Sequence, residues 1–202
     1  TLNANVIGRQ LSHPMVSLGE TLPTPISGTL TGPSTTWSGI VHLDGDVTVP
    51  AGHTLTLSPG TIVLLDGDDT PGSSSGIDII VEGTLLSQGT LAQPVTFTAS
   101  QDGDSWGQFR FDEASPANFQ FTHIHRAGHA PGGGHTGRGR SIYILGSDVT
   151  FEDCSISDNF GKIGETNSSG GINSELVIRR SHLARSATGF ETTDTGVLVE
   201  DT

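Results

Sequence analysis

From Trp37 onward the chain is a succession of short apolar bursts separated by polar turns. Ile40 to Leu43, Val47 to Val49, Leu55 to Leu57, Ile62 to Leu65, Ile79 to Val81, Leu85 to Leu86 and Val95 to Phe97 are runs of β-forming residues, each closed by Gly, Pro, Asp or Ser. Long amphipathic stretches of helical period are missing, so helices have little to be built from. Residues 1 to 36 read differently. Pro14, Pro23, Pro25 and Pro33 stand among polar residues there, which suits an extended arm or a cap and defeats regular helix.

Strands this short, joined by turns of a few residues, fit either a β-sandwich or a β-solenoid, and internal repetition separates the two. Val149, Phe151, Cys154, Ile156 and Asn159 recur as Leu176, Ile178, Ser181, Leu183 and Ser186, every pair 27 residues apart. Phe119, Phe121 and Ile124 stand 30 residues before the first set, and Val197 and Val199 stand 21 after Leu176 and Ile178. Register that survives a changing spacing is the mark of a solenoid, because insertions leave through loops while core residues stay stacked. The expected fold class is all-β, a parallel β-helix (solenoid), with residues 1–36 as N-terminal arm or cap and 37–202 as coils. A sandwich of antiparallel sheets is the alternative.

Several runs carry a resemblance. Trp37-Ser-Gly-Ile, the segment Asp46-Val-Thr-Val-Pro-Ala-Gly-His-Thr-Leu-Thr-Leu-Ser-Pro-Gly-Thr-Ile-Val, Val81-Glu-Gly-Thr-Leu, Pro94-Val-Thr-Phe-Thr-Ala and Trp106-Gly-Gln-Phe resemble the opening coils of bacterial parallel β-helix repeat proteins of the pectate-lyase-like superfamily. Val149-Thr-Phe-Glu-Asp-Cys-Ser-Ile-Ser-Asp-Asn resembles the generic repeats of that superfamily. The resemblance covers about residues 37 to 202 and implies a right-handed parallel β-helix, exported or displayed at the cell surface. It implies little about activity, because these are packing and turn residues shared by lyases, hydrolases, adhesins and structural proteins. In Val-Pro-Ala-Gly and Leu-Ser-Pro-Gly the proline fixes φ and the glycine admits positive φ, which turns the chain between strands.

Charge narrows the partners. Nine Lys and Arg against 22 Asp and Glu leave a net charge of -13, which repels nucleic acid and anionic membranes. No apolar stretch is long enough to span a bilayer, and nothing at the start reads as a charged segment followed by an apolar signal core; the chain reads as mature or trimmed material. The single cysteine, Cys154, forms no internal disulfide framework and reads as a small core residue rather than a reactive thiol.

Three groups of residues could carry chemistry. Asp-Gly-Asp occurs at Asp44 to Asp46 and again at Asp66 to Asp68, in near-copies 22 residues apart. Stacked, Asp44, Asp46, Asp66, Asp68 and Asp69 would offer hard oxygen ligands to calcium, the one cofactor suggested; the same residues are also good turn formers. His123 and His125 flank the inward Ile124 and share the outer face about 6 to 7 Å apart. With His129 or His135 they could hold zinc, or the Gly-rich segment that contains them could be a surface loop. Arg126, Arg138 and Arg140 could instead donate to an anionic or sugar ligand, with Tyr143 as a stacking surface.

A hydrolase needs two carboxyl groups at a set separation. Glu152, Asp153 and Asp158 lie near one another, but Arg179, Arg180 and His182 occupy the next coil. The Asn-x-Asp, Asp-Asp and Gly-His-Gly pattern of polygalacturonase-like enzymes is missing, Gly128-His129-Ala130 being the nearest approach, and so is a pectate-lyase-like Asp-His signature. The sequence is therefore read as a non-catalytic secreted or surface scaffold for adhesion, assembly or glycan binding. The alternative is the N-terminal part of a polysaccharide lyase or glycoside hydrolase, and a carbohydrate-binding module attached to such an enzyme is a third reading. Val197 to Thr202 begin a coil with no visible cap, so another chain, or the arm of a neighbour, is expected to cover that end.

Overall fold

A computed structural model describes residues 22–67, 76–130, 139–193 and 195–202. Every described secondary-structure element is a strand, and every strand pair is parallel. The strands are β1 Ile26–Thr29, β2 Ser34–Trp37, β3 Ile40–Val49, β4 Thr54–Leu57, β5 Ile62–Leu65, β6 Ile79–Val81, β7 Thr84–Gln88, β8 Val95–Ala99, β9 Phe109–Asp112 and β10 Ala117–Gln120. They continue as β11 Thr122–His125, β12 Arg140–Leu145, β13 Asp148–Glu152, β14 Ser155–Ser157, β15 Lys162–Asn167, β16 Glu175–Arg179, β17 His182–Ala184, β18 Thr188–Thr193 and β19 Gly196–Glu200.

The pairing repeats every three strands. A 7-stranded sheet runs β2-β4-β7-β10-β13-β16-β19, and a 12-stranded sheet holds the rest. The larger sheet is two stacks joined through β3, whose first half pairs with β5 while its second half pairs with β6 and which β1 joins from Leu43 to Thr48. Ile40 to Leu43 and Val47 to Val49, separate bursts in the sequence, are thus one strand serving two stacks. From there the chain visits each stack in turn, an arrangement consistent with a parallel β-solenoid. β1 and all of β2 but Trp37 lie within the stretch expected as an arm or cap, and both strands are paired into the sheets.

The core lies between the three stacks, and alternate residues of each strand feed it. Val149 pairs with Leu176, Phe151 with Ile178 and Ile156 with Leu183, at the offset of 27 read from the sequence. Ser181 Oγ accepts from the Cys154 amide, and Asn159 Nδ2 donates to Ser186 Oγ, so the polar members of the repeat stack too. Leu176 pairs with Val197 and Ile178 with Val199, as expected. One register is corrected. Phe119 pairs with Phe151 and Ile124 with Ile156, an offset of 32 and not 30, which leaves Phe121 at a corner with φ 43°. A slip of two residues keeps every side chain on its own face, so the apolar pattern cannot detect it.

The corners use two devices. Gly52 and Gly60, in the Pro-Ala-Gly and Ser-Pro-Gly turns, both have φ of 79°. Later corners place non-glycine residues in the left-handed region: Phe121, Asp153, Arg180 and Asp201 follow β10, β13, β16 and β19, while Arg126, Asp158 and Arg185 follow β11, β14 and β17. Such residues cost about 1–3 kcal/mol each and persist where surrounding bonds over-determine them. Here corner amides extend the ladder: Phe121 donates to Glu152, Asp153 to Arg179, and Asp158 to Ala184.

Candidate functional site

The structure disperses the groups nominated from sequence. Asp44 and Asp66 stand at matching places after the paired Leu43 and Leu65, as their 22-residue offset requires. Asp66 accepts from His42 Nε2 at 2.8 Å and Ser100 Oγ at 2.7 Å; partial burial opposes its charge, yet these bonds hold its carboxyl below the usual range. Asp46 turns elsewhere and caps the amide of Asp78, while Asp68 and Asp69 lie outside the described residues. Asp78 is pushed above the usual carboxylate range, first by burial and then by the Asp46 charge, against the donors of Gln108.

His123 and His125 do come together, their ring centroids 5.8 Å apart and edge-on. His125 is buried, with Nδ1 2.9 Å from Ser157 Oγ. His129 is buried against Phe160, and among the described residues neither ring nitrogen has a hydrogen-bond partner. His135 and Arg138 lie outside the described residues. Among the described residues, no three His, Cys, Asp or Glu side chains are grouped so as to hold a metal ion. Cys154 is buried and free, and burial pushes its thiol up to about 12, which keeps it protonated and unreactive.

Arg126 is drawn to Asp102 at 2.5 Å. Arg140 lies over the Tyr143 ring, 4.1 Å from its centroid, so the surface expected to stack a ligand is met by the chain's own guanidinium. This pair belongs to a larger cluster on the outer face of β9, β12, β15 and β18, where Arg110, Tyr143, Glu165 and Glu191 are consecutive partners. Arg110 bonds Asp112, Arg140 approaches Glu165 at 3.5 Å, and Lys162 Nζ reaches Glu165 at 2.9 Å and Glu191 at 2.5 Å. Burial opposes the charge of Lys162, whose side chain is 2% exposed, but the two carboxylates hold its ammonium above the usual range. Lys162, Glu165 and Glu191 escaped sequence reasoning because residues of successive coils, such as Tyr143 with Glu165 and Lys162 with Glu191, meet here only through the stacking of those coils.

A second face is open. Outward side chains of β7, β10 and β13 form two ladders, Leu86 beside Asn118 and Thr150, and Gln88 beside Gln120 and Glu152. They line a shallow groove of about 200 Å³, floored by the strands at Ser87 and Phe119. Gln88, Asn118 and Gln120 are exposed, and among the described residues no side chain bonds their amide groups. Glu152 is drawn aside toward Arg180 at 3.6 Å.

Comparison of the chain with protein-family models, with curated proteins and with solved structures finds no match. Among the described residues no helix is long and apolar enough to cross a membrane.

Proposed function

We propose that the protein is a right-handed parallel β-helix of the pectate-lyase-like type, secreted or displayed at a cell surface, that acts as a non-catalytic scaffold for adhesion, assembly or glycan binding. The observation that carries this reading is the use of charge on the outer surface. Arg180 holds Asp153 and Arg185 holds Asp158, each through two bonds at the same offset of 27 residues, and Arg179 holds Glu200. Glu152, Asp153 and Asp158, the carboxylates best placed in the sequence for catalysis, are thereby engaged in joining coil to coil.

One observation favours an enzyme as the second reading. Glu165 and Glu191 both bond Lys162 Nζ, which brings together on one face two carboxylates, the residue types a glycoside hydrolase requires. Incubation with neutral and acidic polysaccharides, reading reducing ends and unsaturated products, decides between the two. The scaffold reading expects neither product. Product formation that Glu165→Gln or Glu191→Gln abolishes would replace it with the hydrolytic one.

A further inference from the structure

The geometry points to the groove across β7, β10 and β13 as a binding site for an uncharged glycan, a reading that deepens the scaffold proposal and rests on it. Each of the three amides, on Gln88, Asn118 and Gln120, offers two N–H donors and a carbonyl acceptor, the set that matches sugar hydroxyls, which donate and accept at once. None of these groups is engaged by another described side chain, so a ligand would compete with none of them. Two other polar clusters among the described residues are used differently: that around Tyr143 is self-neutralising, and that beside β17 joins one coil to the next.

The dimensions agree. Adjacent strands stand about 4.7–4.9 Å apart, and outward residues along a strand repeat every two positions, at about 6.6 Å. Three strands and two ladders therefore present six side chains over a patch large enough for about two pyranose rings. Leu86 and the methyl of Thr150 flank Asn118 on either side and offer two small apolar contacts to the C–H groups of a sugar. A peptide fits poorly, because the strand backbones of the floor are already paired with each other and leave no sheet edge to extend.

The charge selects within the glycans. Among the described residues the one ionisable group lining the groove is the acidic Glu152, and the whole chain carries a net charge of -13, which disfavours uronates and sulfated sugars. No aromatic ring faces the ligand, and binding is accordingly weak and in fast exchange. Amides do not titrate, so affinity is flat between pH 5 and 8.

The test is calorimetric titration of the whole chain with cellohexaose, xylohexaose, chitohexaose and hexagalacturonate, with reducing ends read in parallel. At least one neutral hexamer binds and hexagalacturonate does not. Asn118→Ala and Gln120→Ala each weaken binding at least fivefold, Gln88→Ala does so if either of the first two fails to fold, and Arg110→Ala on the other face changes it less than twofold. Failure of all three neutral hexamers, preference for hexagalacturonate, or indifference to the amide variants would overturn the site while leaving the scaffold standing. Cleavage of a hexamer would overturn the scaffold and leave the site.

Discussion

The middle coils and the end of the chain share one register but are held by different forces. Between β8 and β13 the interior is a column of rings: Phe97 and Phe109 are 4.9 Å apart, Phe109 and Phe119 5.3 Å, and Phe119 and Phe151 4.4 Å and stacked. All four are fully buried. In β17, β18 and β19 the same inward positions hold Leu183, Phe190 and Val197, which are only partly covered, and Leu198 and Val199 are exposed. Besides their backbone pairing, these strands are joined to the coil before them by charge pairs on the outside: Lys162 to Glu191, Asp158 to Arg185 and Arg179 to Glu200. A coil with neighbours on both sides buries its rings, whereas one with a described neighbour on a single side keeps its inward residues only partly covered.

The contrast can be broken at its strongest point first. Phe119→Ala should cost about 3–5 kcal/mol, the range for large-to-small changes in packed cores, and should lower the denaturation midpoint of the whole chain. An effect below about 1 kcal/mol by urea denaturation would show that the ring column is not the main source of cohesion. Lys162→Met comes next. Removing the cation between two partly buried carboxylates should cost about 2 kcal/mol at pH 7, between the values for exposed and fully buried pairs. The two carboxylates hold the Lys162 ammonium above its ordinary value of 10.5, so the stability it contributes is present below that pH and is lost as pH rises past its folded value, and the deficit should shrink in alkali. A deficit independent of pH would mean that the loss is one of packing.

Asp158 gives a smaller, opposite dependence. The hydrogen bonds of Arg185 hold its carboxyl at about 2, below its unfolded value, so the stability it contributes is present above about pH 4 and is lost as pH falls toward 2. The pair is largely solvated, so Asp158→Asn should cost at most about 1 kcal/mol at pH 7 and nothing at pH 2. Salt should erase the difference as well, read as faster amide exchange in β17 but not in β11. Val197→Ala should be the mildest, well under 1 kcal/mol, because the site is already half open; a cost equal to that of Phe119→Ala would show that something covers this end in solution.

The amino-acid sequence by itself determined the all-β class and the register from residue 149 onward, because the inward side chains of consecutive coils must be apolar and must recur at one spacing. The pairs Val149 with Leu176 and Phe151 with Ile178 were legible for that reason, as were the Pro-Gly corners, where only proline and glycine suit the backbone. The earlier register was not, since the offset of 32 between Phe119 and Phe151 preserves the same inward alternation as 30. Nor were the corners at Phe121, Asp153, Asp158, Arg180 and Arg185, because nothing in a Phe, Asp or Arg announces positive φ; stacked amides and carbonyls impose it. The outer faces were left wholly to the tertiary structure. Whether Arg140 faces a ligand or Tyr143, whether Lys162 finds two carboxylates, and whether Gln88, Asn118 and Gln120 line one groove depends on how residues 21 to 32 positions apart align, and polar positions on a solvated face leave no periodic trace of that alignment.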